Sequence, residues 1–199
     1  MKTLKLGLLT LMSIAMFSCK GEKKDATTTE EYKKEGVENT KETTEEEDVT
    51  KTLEITLDPK SDSEVSGKVV FTESEGMVNM VATLTGLSEG EHAIHIHEKA
   101  DCSSADGKST GGHWNPTLQP HGAWGAKEGF HRGDIGNFKA DAQGNGNITF
   151  ATNEWCIGCD DEKKNIVGKA IIVHQGEDDF KSQPSGAAGS RVSCGGIIQ

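Results

Sequence analysis

The sequence predicts an all-β domain of eight antiparallel strands, packed as a sandwich or flattened barrel with two long functional loops. Three observations predict it. Gly is abundant (24 of 199 residues) while aromatics are scarce. Short apolar runs alternate with polar residues at the two-residue period of a strand. No segment holds the 3.6-residue period of a helix, and no repeat is present. Many short strands joined by Gly-rich turns pack best as two layers of sheet.

The elements follow in order. In residues 53–57, Leu53, Ile55 and Leu57 alternate with Glu54 and Thr56. Residues 65–71 form the second run, with Gly67 read as a bulge, and 77–84 the third, with Gly76 in the turn between them. A turn at 88–90 leads into the strand carrying His92 to His97. From 99 to 132 no periodicity holds, and Pro116 and Pro120 fall inside the stretch. Structureless loops of this length are uncommon unless they are functional. Strands resume over 133–138, 147–151 and 167–174. A second loop spans 175–190 and a last strand 191–198.

The folded part, 53–199, is preceded by two other segments. Lys2 and Lys5 form a short basic region before an apolar run, 6–17, that is too short to span a bilayer comfortably, and Ser18 precedes Cys19. Met-Phe-Ser-Cys at the end of such a run resembles a bacterial lipoprotein signal. The resemblance implies a signal peptide over 1–18 and acylation of Cys19, giving a lipid anchor to a membrane. Residues 20–52 are almost entirely Lys, Glu, Asp and Thr, too polar to offset their chain entropy, and are read with Cys19 as a disordered linker. The expected location is therefore the envelope of a Gram-negative bacterium, on its periplasmic or surface side. The formal net charge of −11 and the lack of a basic patch exclude nucleic acid as a partner. Outside the cytosol the remaining four cysteines, Cys102, Cys156, Cys159 and Cys194, are expected as two disulfides.

All seven histidines lie between residues 92 and 174. On a strand His95 and His97 point to the same side. Two neutral imidazoles side by side are poor core material and good ligands for a borderline transition metal. His113, His121, His131 and Asp134 form a set suited to tetrahedral Zn²⁺. His95 and His97, with His174 from a distant strand, suit a second ion, and imidazoles without thiolate or thioether favour Cu²⁺. His92 lies on the opposite face and is read as packed and hydrogen-bonded.

His95-Ile96-His97-Glu98, Gly112-His113-Trp114-Asn115-Pro116, His121-Gly122, His131-Arg132-Gly133-Asp134-Ile135-Gly136-Asn137, Ile172-Val173-His174 and Gly189-Ser190-Arg191-Val192-Ser193-Cys194-Gly195 occur in this order. Over 53–199 the chain thereby resembles the copper/zinc superoxide dismutases, a β-sandwich family. The resemblance implies a Greek-key fold and one copper and one zinc ion per subunit. Copper would be held by His95, His97, His113 and His174. Zinc would be held by His113, His121, His131 and Asp134, with the His113 ring shared as a bridge. It also implies an oxidoreductase that disproportionates superoxide to dioxygen and hydrogen peroxide at a redox-cycling copper. His113 would be the proton carrier and Arg191 the guide for the anion. Asp178 would link a copper ligand to a zinc ligand and orient both. Cys102–Cys194 matches the family's disulfide. A homodimer is compatible with the resemblance, with no surface assigned to it.

From residue 53 onward 12 basic residues face 21 acidic ones. A small anion is repelled by that average, so a local cationic funnel has to dominate at the site. At about 5 Å and an effective dielectric near 20, one unit charge supplies roughly 3 kcal/mol. Lys181 is a second candidate beside Arg191. Cys156-Ile157-Gly158-Cys159 departs from the family pattern. It is read as a small disulfide bracing a loop, with a redox switch and a third metal site as the other readings. Two rival functions fit the sequence less well. A metallo-β-lactamase-like hydrolase needs an Asp-His pair where Lys99-Ala100 stands. A copper/zinc store or carrier has no use for Arg191, and copper stores favour Met or Cys ligands.

Overall fold

A computed structural model describes residues 50–199. The leader, Cys19 and the charged stretch to residue 49 lie outside the described residues. Eight strands form: β1 (Lys51–Pro59), β2 (Ser66–Ser74), β3 (Met77–Thr85), β4 (Gly90–His97), β5 (Gly136–Ala140), β6 (Gly146–Thr152), β7 (Ala170–His174) and β8 (Arg191–Gly196). They close into a barrel in the order β1-β2-β3-β6-β5-β4-β7-β8, with every pair antiparallel. The β3–β4 and β6–β7 connections cross over non-neighbouring strands, which is Greek-key wiring. The helical content among the described residues is one 3₁₀ turn, Lys108–Thr110.

Strand β3 shows why the alternation was legible. Val78, Met80, Ala82 and Leu84 point into the barrel, while Met77, Asn79, Val81 and Thr83 point out. Glu75 and Gly76 both have positive φ (51° and 71°), the requirement of a two-residue type I′ hairpin between β2 and β3. Gly67 is not a bulge. It sits in regular register, opposite Leu57 on one side and Leu84 on the other. Its role is close approach, since a Cβ there would lie 2.2 Å from the Thr83 carbonyl oxygen.

Strand β4 is buried on both faces from His92 to His97. Ile94 and Ile96 join the barrel core, while His95 and His97 lie beneath the 98–135 loop. That loop is tied to β4 by its backbone: Trp114 N–H donates to Ile96 O (2.8 Å), Gly133 N–H to Trp114 O (3.0 Å), and Ile96 N–H to Gly133 O (2.9 Å). Any side chain at residue 133 would meet the Ile96 carbonyl at 2.1 Å, so glycine is required there. This use of residues 133–135 also explains why β5 starts at Gly136 and not at 133.

Cys102 and Cys194 form a disulfide, with Cα atoms 5.9 Å apart, that pins the loop after β4 to β8. Cys156 and Cys159 form a second one. Between β7 and β8 the register slips: Val173 faces Ser193, but His174 faces Arg191. The bulge leaves Val192 as the extra residue of β8 and places Arg191 opposite a histidine of the site.

Candidate metal centre

Two donor sets converge. His95, His97, His113 and His174 each bring one ring nitrogen to within 4.8 Å of the others, and His113, His121, His131 and Asp134 do the same with one ligand atom each. All seven residues are buried. β4 supplies His95 and His97, and the end of β7 supplies His174. The 98–135 loop supplies the rest, with His113 paired to His97 in an isolated bridge. His113 belongs to both sets, so its two nitrogens face two different clusters.

Among the described residues, six buried ring nitrogens have no hydrogen-bond partner: His95 Nδ1, His97 Nε2, His113 Nε2, His121 Nδ1, His131 Nδ1 and His174 Nε2. Every one belongs to the two sets. An unsatisfied buried polar group costs about 1–3 kcal/mol, so six in one place require ligands of another kind. A cation at each set satisfies them. On the Asp134 side, His121 Nδ1 lies 3.0 Å from Oδ2 and His131 Nδ1 3.2 Å from Oδ1, both without hydrogen-bond alignment. His113 Nδ1 is bonded to Asp134 Oδ1 at 2.8 Å. Three nitrogens crowding one carboxylate is the arrangement of donors around a common centre. The donor chemistry fits zinc at the His₃Asp set and copper at the all-imidazole set.

The outward nitrogens are held in turn. Asp178 joins the sets, accepting from His95 Nε2 (2.8 Å) on Oδ2 and from His121 Nε2 (2.9 Å) on Oδ1. His97 Nδ1 donates to Gly111 O (3.0 Å), and His174 Nδ1 faces Gly189 O at 3.4 Å. Such contacts fix which nitrogen is free to bind. His92 stands apart from both sets, with Nδ1 2.9 Å from His174 O and Nε2 within reach of Ser88 O (2.9 Å) and of the Ser88 hydroxyl (3.3 Å).

Electrostatics prepare the same state. Burial lowers the pKa of His95, lowers those of His97 and His174 well below the ordinary histidine value, and brings His113 to about 4. Neutral rings are the metal-binding form. For Asp134 and Asp178, burial favours the acid, but hydrogen bonds from the surrounding histidines outweigh it and keep both ionised far into the acid range. Burial would likewise lower His121, yet the two carboxylates raise it to about 9 in the metal-free protein. Opposite pH trends follow for that form. The depressed histidines take up protons only on unfolding, so stability rises with pH from about 4 to about 6.5. The protonated His121 adds stability that is complete below about 6.5 and lost as pH climbs towards 9. Thermal unfolding of metal-free protein across this range is expected to peak near neutrality, and a midpoint still rising at pH 9 would contradict the assignment.

A pocket of about 600 Å³ opens onto the first set, lined by His97, His113, His174 and Arg191, with Asp106 and Lys108 at its rim. Arg191 is half-buried, and its Nη1 donates to Gly107 O (2.9 Å) and to the buried Thr110 Oγ1 (3.0 Å). Lys181 is exposed and does not line the pocket. Lys108 does, though it is paired with Asp106 at 3.0 Å.

Three further residues were not found by sequence reasoning. Thr110 anchors Arg191. Asn137 clamps the main chain of Asp178 (Nδ2 to O 2.9 Å, N to Oδ1 2.8 Å). Gln183 clamps the main chain of His121 in the same way (2.9 Å both). Asn137 ends the 131–137 motif, where nothing distinguishes its role, and nothing in the sequence marks Gln183 or Thr110.

A closed Greek-key barrel with two histidine-rich donor sets sharing one ring defines a two-metal protein. Residues 65–197 match the family model of copper/zinc superoxide dismutase (SODC). The chain is 36% identical over 141 residues to "Superoxide dismutase (Cu-Zn) 2" of Aquifex aeolicus, covering 69% of this chain and 81% of that one. It is 35% identical over 143 residues to an extracellular Cu-Zn superoxide dismutase of Drosophila melanogaster, covering 68% and 76%. Among solved structures it is similar to a double mutant of a SOD-like protein from Bacillus subtilis. There the TM-score is 0.66 and the identity 29%, over 73% of this chain and 97% of the other. The chain belongs to the copper/zinc superoxide dismutase family.

Proposed function

We propose that this protein converts superoxide to dioxygen and hydrogen peroxide, consuming two superoxides and two protons per turnover. The observation that carries the reading is the His113 ring, shared by two buried donor sets beneath a pocket walled by Arg191. His95, His97, His113 and His174 would hold copper, and His113, His121, His131 and Asp134 zinc. When bound, copper supplies a reversible one-electron couple and zinc a redox-silent charge that fixes the shared ring.

The chain's own residues do the remaining work. Arg191 offers a guanidinium to an anion entering a domain whose average charge repels it, and a focused field of this kind speeds association by about 10- to 1000-fold. Gly107 O and Thr110 Oγ1 hold that guanidinium in place. His113 Nε2 faces the pocket side and is the atom that can carry a proton to the forming peroxide. Its low pKa when buried favours giving the proton up. Asp178 keeps His95 and His121 oriented.

The leader and the charged tether support a place at the envelope of a Gram-negative bacterium, anchored by acylated Cys19, where the enzyme would protect the envelope from oxidative damage. Metal analysis of the purified protein alongside a superoxide-consumption assay tests the function. One copper and one zinc with rapid consumption are expected. Bound metals without turnover would favour a store or carrier instead. In the same assay Arg191→Ala is expected to lower turnover about 10-fold or more and flatten its salt dependence, with metal content intact. Loss of both metals would contradict the guide role.

A further inference from the structure

We propose that Cys156–Cys159 is a site of thiol–disulfide exchange with a dithiol reductant, and that opening it loosens the zinc-side loop; the second half rests on the zinc reading above. Three observations converge on this pair. First, its ring is small, with a sequence separation of 3 against 92 for Cys102–Cys194. A short loop restrains the unfolded chain least, so its closure resists reduction least. Second, the two sulfurs are unequally placed. Cys102–Cys194 likewise pairs one partly exposed with one wholly buried cysteine, and in the small ring it is Cys159 that is partly exposed and Cys156 that is buried. Within that ring a reductant therefore reaches Cys159 first.

Third, the residue before Cys156 supports the zinc side. Trp155 donates its indole N–H to Arg132 O (2.8 Å), between His131 and Asp134. Its ring meets Trp124 edge-on at 5.8 Å, and Trp124 packs on Phe130 at 4.9 Å. Trp124 and Phe130 lie between the ligands His121 and His131. The main chain of Cys156 is held by Lys164 and Ile166, and Cys159 O accepts from the Asn165 side chain (3.0 Å). The disulfide closes this small loop directly behind the tryptophan on which the zinc-side loop rests.

In the exchange, one thiolate of the reductant attacks Cys159 Sγ. The bond to Cys156 Sγ breaks, and its electron pair leaves on Cys156 Sγ, which takes a proton. The second thiol of the reductant then displaces Cys159. The products are two cysteine thiols and the oxidised reductant, a two-electron transfer in balance.

The test uses the full chain loaded with zinc and copper. During treatment with dithiothreitol, samples are alkylated and mapped by peptide mass. Cys156 and Cys159 are expected to label at least about 10-fold faster than Cys102 and Cys194. Zinc release to a chromogenic chelator is then compared, without reductant, between the native protein and the Cys156→Ser/Cys159→Ser double variant. Release about 5-fold faster is expected, with copper release unchanged. Should that variant not fold, native protein alkylated only at residues 156 and 159 takes its place. Equal or earlier labelling of Cys102 and Cys194 would overturn the exchange site. Zinc release within about 2-fold of native would overturn the coupling. A protein that holds no zinc at the outset would overturn the metal reading instead, and the labelling order would still decide the exchange site.

Discussion

Replacing His113 by alanine is expected to reduce superoxide turnover by about 100- to 10,000-fold, the usual worth of a positioned proton donor. It is the largest effect at the site because one ring serves both donor sets. Its Nδ1 sits 2.8 Å from Asp134 and its Nε2 is an unpartnered buried nitrogen on the other side. Alanine removes the proton carrier and a ligand of each set at once. Copper should still be held by His95, His97 and His174, and zinc by His121, His131 and Asp134, each more weakly. Stopped-flow superoxide decay with metal analysis checks this. Turnover within 10-fold of native, with both metals bound, would show that the shared ring is not the proton carrier.

The second large effect is on stability. Breaking Cys102–Cys194 with Cys102→Ser is expected to cost roughly 4–5 kcal/mol in the chain-entropy treatment of a loop this long. For a domain of this size that lowers the thermal midpoint by about 10–20 °C. Activity should fall with it, because the loop pinned by Cys102 carries Gly107 and Thr110, the partners of Arg191. Calorimetry of the variant checks the first effect and the salt dependence of turnover the second. A midpoint within about 3 °C of native would mean that β8 and the loop are held by other contacts.

What the sequence disclosed, and what it did not, divides along a physical line. Alternation in β3 was legible because one face of the strand is water and the other is core. The pairing of His95 with His97 was legible for a related reason, since the two-residue period puts them on one face whatever covers it. His92 was separable by the same parity. The bulge that sets Arg191 opposite His174 had no sequence mark, because Val192 as the extra residue looks like any strand valine. Gly67 was not decidable locally, since a glycine in a strand serves either a bulge or a close backbone approach, and only the neighbouring strand decides. Gln183 and Asn137 act on main-chain groups 62 and 41 residues away, and nothing local distinguishes such an amide from an ordinary surface side chain. Lys181, the second cation named from the loop before β8, does not line the pocket, whereas Lys108, in the loop that the disulfide holds, does.

The function proposed for this protein requires two different ions to share one imidazole. Anomalous diffraction from crystals of metal-loaded protein, collected on both sides of the copper and zinc absorption edges, tests it most directly. One copper peak is expected among His95, His97 and His174, one zinc peak among His121, His131 and Asp134, and the His113 ring between them. A single ion, or a peak that leaves His113 outside either cluster, would contradict it.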